Sequence, residues 1–333
     1  MKKRIIISVS FVLILVLGVV IGWFSYKYEN ITKPSISTSV RLDLPQYKLI
    51  NPPLFSQSPK SMLPAFVTLQ NLLSNYIAST TKNGAASSVS VYFRYFGNSQ
   101  WTGVNEDETY TPASMLKVVA MMATLELAES NPSILNEKLP YVISSSSPFE
   151  QYYQPNDSLR TGDYPAQDLI AAMIKYSDNN ALYGLLSDNR INNEDTEIYN
   201  LFRLPSVSAT DTSDYMSPKS YSNLFISLYN SSLFPWSLSD QVLNLLATTT
   251  FTQGIVAGVP SGTIVAHKFG ESSDVNSAGV VIDKQLHDCG IVYDLGSPYL
   301  LCVMTKGQDY PVLAGVISGI SNLVYNYVNG KPF

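Results

Sequence analysis

Ser114 and Lys117 stand three residues apart in Tyr110-Thr111-Pro112-Ala113-Ser114-Met115-Leu116-Lys117, a segment that runs into the mostly apolar stretch Val118 to Leu127. A serine hydroxyl is a weak nucleophile at neutral pH and needs a neighbouring group to take its proton. A desolvated lysine amine can do so. Thr111 and Pro112 form a turn-like entry, and the pattern beyond predicts a helix starting at Ser114. Residues three apart then share a face, and Lys117 rises one turn above the hydroxyl. The free N–H groups and positive dipole end of that helix would favour an oxyanion formed during acyl transfer. Taken alone the spacing is a weak signal, whose ordinary reading is a helix-capping serine beside a solvated lysine.

Two further segments change its weight. Ser177-Asp178-Asn179 lies in Ile174-Lys175-Tyr176-Ser177-Asp178-Asn179-Asn180-Ala181-Leu182, where a loop passes into an apolar helix. His267-Lys268-Phe269-Gly270-Glu271 follows the β-branched run Thr263-Ile264-Val265 and so falls at the end of a strand. A second Ser-Asp-Asn, Ser187-Asp188-Asn189, falls where the preceding helix should end, just before Arg190 and a run of asparagines, and reads as a C-terminal cap and turn.

Ser-x-x-Lys, then Ser-Asp-Asn, then Lys-x-Gly, in that order, resembles the penicillin-recognising serine hydrolases, and within them most closely the class A β-lactamase catalytic domain. The resemblance runs from about residue 61 to the C-terminus and includes the flanks Gly262-Thr263-Ile264-Val265-Ala266-His267-Lys268 and Gly290-Ile291-Val292-Tyr293. It implies that Ser114 attacks the carbonyl of a strained lactam or a D-alanyl peptide, with Lys117 accepting its proton. Ser177 would relay a proton to the leaving nitrogen. Asn179 would hydrogen-bond Lys117 and the substrate amide, while Asp178 caps the following helix. Lys268 would attract the substrate carboxylate and keep Lys117 neutral by repulsion. Gly270 would let substrate approach the strand edge, and the backbone N–H groups of Ser114 and Glu271 would form an oxyanion hole. The side chains of His267 and Glu271 read as packing or solvated groups at a strand end.

The elements that must position these residues can be read coarsely. Helices are expected over Phe66–Ala78, from Ser114, and around Ala166–Ile174, Asn179–Leu186, Asp195–Phe202, Pro218–Tyr229, Ser239–Leu246 and Val312–Tyr327. Strands are expected at Val89–Phe96, near Trp101, and at Thr263–His267, Ala278–Ile282, Leu286–Tyr293 and Tyr299–Met304. Strands at both ends with helices between imply an α+β domain whose sheet is interrupted by a helical insertion. The resemblance implies the same: a five-stranded antiparallel sheet flanked by helices, plus an all-helical subdomain, with the site in the crevice between them.

The pattern departs from class A in two places. Those enzymes activate the deacylating water with a glutamate on a loop about 35 to 40 residues past Ser-Asp-Asn. The matching stretch here, Arg203 to Pro218, holds no glutamate, although its end from Asp214 to Pro218 resembles the family's exit from that loop. Asp211 is the first candidate to substitute for it; Glu194 and Glu197 come too early and belong to a surface helix. Phe269 replaces the threonine or serine usual between the lysine and glycine, so a hydroxyl for the substrate carboxylate is missing. Acylation machinery is expected to be nearly complete and deacylation machinery not.

The chain has 333 residues, 45% of them hydrophobic, enough for one large domain or two entwined subdomains. Lys2, Lys3 and Arg4 precede an uncharged apolar run from Ile5 to Phe24, long enough at about 30 Å of helix to span a bilayer. The expected layout is a cytoplasmic 1–4, a transmembrane signal-anchor over 5–24, an extracytoplasmic Pro-containing tether over 25–60 and the hydrolase domain over 61–333. The protein would then be a single-pass cell-membrane protein with its catalytic domain outside. A cleaved signal peptide is the rival reading, which the long apolar run and the lack of a small-x-small site disfavour. Tyr47 to Pro52 is a candidate for packing onto the domain.

A net charge of −5 without a basic cluster beyond the membrane flank argues against nucleic acid as a partner. Two histidines with no carboxylate at ligand spacing argue against a metal, and no Gly-rich phosphate loop or other cofactor signature appears. Cys289 and Cys302 should face each other across a hairpin turning at Asp294-Leu295-Gly296-Ser297-Pro298, either as a disulfide or as two buried thiols. Three functions stay open: a β-lactamase-type hydrolase with slow deacylation, a peptidoglycan D,D-carboxypeptidase-like enzyme, and a non-catalytic envelope binding module. The retention of a base beside the serine argues against the last.

Overall fold

The computed structural model describes residues 46–52, 66–143, 151–153, 159–202, 204–205, 214–275, 280–294 and 298–330. The expected membrane helix over 5–24 and most of the expected tether lie outside these residues, as do Asp211 and the tip of the cysteine hairpin.

Five strands form one antiparallel sheet in the order β2-β1-β7-β6-β5. They are β1 (Ser88–Tyr95), β2 (Trp101–Val104), β5 (Ile264–Val275), β6 (Val281–Tyr293) and β7 (Tyr299–Gly307). The N-terminal hairpin and the C-terminal three strands meet where β1 pairs β7, Tyr92 opposite Cys302. β7 is apolar and buried along nearly its whole length, as expected of a central strand covered on both faces. Its side chains alternate between two cores. Leu300, Cys302 and Met304 join one, with the helices inserted between β2 and β5. Leu301 and Val303 join the other, under α1 (Val67–Lys82) and the C-terminal α8 (Tyr310–Val328).

The inserted helices are α2 (Lys117–Ser130), α3 (Ala166–Lys175), α4 (Asn179–Leu186), α5 (Asn189–Leu201), α6 (Pro218–Asn230) and α7 (Trp236–Leu246). From Lys117 to Leu125, α2 has no exposed face, and a helix apolar all round belongs at the centre of its layer. The outer α8 instead buries the stripe Leu313, Ile317, Ile320 and Val324. Among the described residues α8 is the one helix long and apolar enough to cross a membrane by length and composition. Its buried stripe against the sheet accounts for that composition.

Several boundaries differ from the sequence expectation. Ser114 lies in a 3-10 turn, Ala113–Leu116, and the α-helix begins only at Lys117. Helix α5 starts at Asn189 rather than Asp195 because Asp188 accepts a hydrogen bond from Arg190 N and caps it. The second Ser-Asp-Asn therefore ends one helix and starts the next. Val281 and Ile282, from the segment expected at Ala278–Ile282, are continuous with the segment expected at Leu286–Tyr293 in one strand, β6; Ala278 and Gly279 lie outside the described residues. A small hairpin of β3 (Lys138–Tyr141) and β4 (Gly162–Pro165) had no legible signal. Within the expected tether, Leu49 and Ile50 are buried in the core, Leu49 N donating to Asp240 Oδ1 at 2.8 Å and Tyr293 OH donating to Leu49 O at 2.8 Å. Packed structure thus begins before residue 61.

Cys289 and Cys302 lie directly opposite in the β6–β7 ladder and form a disulfide. It closes a short loop, and in the chain-entropy account a loop of that size is worth about 3 kcal/mol.

Candidate active site

The nucleophile turn is built by strain and close packing. Ala113 takes φ 49, a left-handed conformation costly for a non-glycine residue, and Met115 N donates back to Pro112 O at 3.1 Å. Gly270 on β5 makes room for this turn: a Cβ there would come within 2.5 Å of Pro112 O and 2.9 Å of Met115 Cγ. The sequence assigned that glycine to substrate approach. The geometry gives it a second task, seating the serine turn against the strand.

Lys117 is 1% exposed, and its Nζ lies 2.8 Å from Ser114 Oγ, 2.6 Å from Ser177 O, 2.6 Å from Asn179 Oδ1 and 3.2 Å from Ser177 Oγ. Burial and, next, the charge of Lys268 hold its pKa well below the ordinary lysine value. A neutral amine has two N–H groups and one lone pair. The carbonyl oxygen of Ser177 and the amide oxygen of Asn179 can only accept, so they take both N–H groups. The lone pair is left for the Ser114 hydroxyl.

Ser177 has φ 58, a second left-handed non-glycine residue, and this conformation presents both its carbonyl and its hydroxyl to the lysines. Asp178 fixes the next helix, accepting from Asn180 N at 2.8 Å and Ala181 N at 3.2 Å. Its other oxygen accepts from Tyr141 OH at 2.7 Å. Lys268 is fully buried, and its Nζ donates to Ser177 Oγ and Phe269 O, both at 2.9 Å. Desolvation brings its pKa down to about 7.

Glu271 follows Gly270 on the same strand. Its carboxylate accepts from Tyr153 N at 3.2 and 3.3 Å, and burial pushes its pKa up to about 7. This side chain, dismissed in the sequence as a strand-end group, ties the segment 151–153 to the outer edge of β5. Gln151 Nε2 donates to Ser177 O at 3.2 Å from the same segment. Nothing in the sequence marked these residues. Phe269 stacks on Phe251 at 4.3 Å and meets Tyr153 edge-on at 6.0 Å. His267 is buried and pairs with Asp288 at 2.8 Å, while Asp288 accepts from Ile255 N at 2.9 Å, so the histidine pins β5 to β6 away from the serine.

The end of the Arg203–Pro218 stretch is anchored at the entry to the serine turn. Tyr110 and Met216 form an isolated antiparallel bridge. Asp214 accepts from Thr111 Oγ1 at 3.3 Å and Gln285 Nε2 at 2.9 Å and pairs with Lys306. Ser217 caps α6, with Pro218 in its first turn. Among the described residues no group of three or more His, Cys, Asp and Glu side chains could hold a metal.

A half-buried serine beside a buried lysine, and a second serine bridging two lysines, lie between a five-stranded sheet and a helical layer. The model of the β-lactamase enzyme family matches residues 69–328, and the chain belongs to that family. Among solved structures it is similar to PBP-A, with 19% identity, a TM-score of 0.63, and 79% of this chain and 97% of that one covered. It is similar to the TLA-1 extended-spectrum β-lactamase, with 21% identity, a TM-score of 0.63, and 78% and 98% covered. A class A β-lactamase from Bacteroides cellulosilyticus gives 20%, 0.63, 79% and 99%. At these identities the likeness to each is one of fold. No curated protein matches the sequence.

Proposed function

We propose that this chain is a membrane-anchored serine hydrolase of class A β-lactamase type, working in the cell envelope on β-lactams or related amides. Ser114 Oγ attacks the carbonyl carbon while its proton passes to Lys117 Nζ. The oxyanion is held by the N–H groups of Ser114 and Glu271. The C–N bond then breaks, the leaving nitrogen takes the Ser177 hydroxyl proton, and Lys117 returns a proton to Ser177. Asn179 orients Lys117 and the substrate amide, Lys268 polarises Ser177, and Gly270 keeps the strand edge close to the serine. No cofactor enters this sequence of steps. Water must hydrolyse the acyl-enzyme without a loop glutamate, so deacylation is slow.

The observation that carries the reading is the buried Lys117 amine, its N–H groups committed to Ser177 O and Asn179 Oδ1 and its remaining valence aimed at Ser114 Oγ at 2.8 Å. The family match supports it. Intact-mass measurement after mixing with a penicillin, beside a fluorophosphonate control, tests it. The expected result is one adduct on Ser114 that persists for many minutes and is abolished by Ser114→Ala. Failure of both reagents to label Ser114 would overturn the reading.

The absent loop glutamate also favours a peptidoglycan D,D-carboxypeptidase-like activity, for which release of D-alanine from an acyl-D-alanyl-D-alanine peptide is the assay. A binding module would have no use for a depressed lysine beside its serine. The anchor rests on the charged start and the apolar run from Ile5 to Phe24. Fractionation of the full chain, with the protein staying in the membrane pellet after carbonate washing, checks it.

A further inference from the structure

Lys268 is the residue through which a site of this kind would hold an anion, and its ammonium group is already spent. An ammonium carries three N–H donors. Two go to Ser177 Oγ and Phe269 O, each at 2.9 Å. On a third side lies the Phe269 ring, its centroid 4.3 Å from Nζ, a cation–π distance. The lysine is 0% exposed. An incoming carboxylate would have to displace the ring, and the ring is stacked on Phe251 and braced by Tyr153.

A second observation points the same way. Glu271 follows Phe269 by two residues on β5, so both side chains leave the strand on one face. Its carboxylate is held there by Tyr153 N, and Tyr153 packs against Phe269, Phe251 and Tyr310. Where an anion-binding hydroxyl would stand there is an aromatic ring, and beside it an acid. The nearby cation is also weakened, since burial leaves Lys268 titrating near neutral pH.

We propose that Phe269, with Glu271 and the strap of residues 151–153, is a specificity device that disfavours acyl donors bearing a carboxylate beside the scissile amide relative to neutral ones, amides or esters whose leaving-group side is uncharged. This rests on Ser114 being the acylated nucleophile. It shifts the preferred substrate from β-lactams and D-alanyl peptides with a free carboxylate to their capped counterparts, with the free acids acylating more slowly.

The test compares acylation of the full-length protein by benzylpenicillin and by its methyl ester, followed by intact mass at pH 7, with a fluorophosphonate as independent label of Ser114. The ester should acylate at least about tenfold faster than the free acid. Phe269→Thr should raise the free-acid rate about tenfold and leave the fluorophosphonate rate within a factor of two. Faster acylation by the free acid than by the ester, or no acylation by either penicillin while the fluorophosphonate reacts, would overturn the inference and leave the hydrolase reading standing. Failure of the fluorophosphonate and both penicillins would overturn both. The comparison within the native protein decides the matter even if the Phe269 variant does not fold.

Discussion

The chain carries the tripeptide Ser-Asp-Asn twice, and the two copies have almost the same helix-capping geometry and nothing else in common. In each the aspartate is an N-cap: Asp178 at φ −68 and ψ 120, Asp188 at φ −81 and ψ 116. The serines diverge. Ser177 is left-handed at φ 58, fully buried and bonded to two lysines. Ser187 is right-handed and exposed, and its hydroxyl donates to Gly184 O at 2.7 Å, capping the helix before it. Asn179 receives Lys117, whereas Asn189 simply begins an exposed turn. Around the second copy the charge partner is Arg190, whose hydrogen bond holds the Asp188 carboxyl below the usual carboxylate range. One backbone torsion and the two lysines behind it separate a candidate site from a helix junction.

The largest expected effect removes what the first copy orients. Lys117→Arg should lower the acylation rate by about 10² to 10⁴, since a guanidinium does not release a proton in this range. Stopped-flow acylation by a reactive β-lactam measures it, and near-native rates would end the base assignment. Next, Ser177→Ala should slow acylation by about 10², while Ser187→Ala should leave it within twofold. Equal effects of the two would erase the functional distinction between the copies.

On stability the caps should differ less. Asp178→Ala removes a cap and takes the acceptor at 2.7 Å from the buried Tyr141 hydroxyl, for a loss of about 2–4 kcal/mol by urea unfolding. Asp188→Ala removes an exposed cap, for about 1 kcal/mol.

The last effect is a pH slope in stability. Lys268 has a folded pKa of about 7 against 10.5 unfolded, so the unfolded chain binds more protons between those values and stability should rise with pH across that window. Lys268→Met should reduce the rise but not abolish it, because buried Lys117, also held below its ordinary value, contributes a slope of the same sign. Glu271 is displaced the other way, from 4.5 to about 7, so it should make stability fall as pH climbs through that interval. Glu271→Gln should remove that fall, and a melting-temperature series from pH 4.5 to 10 reads both slopes.

Much of this arrangement was legible in local pattern. The three motifs, the boundaries of α4 and the start of α6 at Pro218, the β6–β7 pairing that sets Cys289 against Cys302, and the capping role of Asp178 each follow from residue type and spacing over a few positions. The 3-10 turn at Ser114 was not legible, because what shapes it is Gly270, far along the chain, whose missing side chain admits Pro112 O. Helix α5 was placed late because its polar first turn, Asn189 to Asn193, hides the periodicity that Ile191 and Ile198 alone sustain.

By itself the sequence determined which groups are present, in what order, and that a serine and a lysine share one turn. It also determined that no glutamate stands between Arg203 and Pro218. Only the tertiary structure decided that Lys117 and Lys268 are buried within reach of one hydroxyl, because desolvation is a property of what the rest of the chain packs around a side chain. The same holds for Phe269, Glu271 and Tyr153. Their contact joins a strand edge to a segment more than a hundred residues away in sequence, and no periodicity records a pairing at that distance.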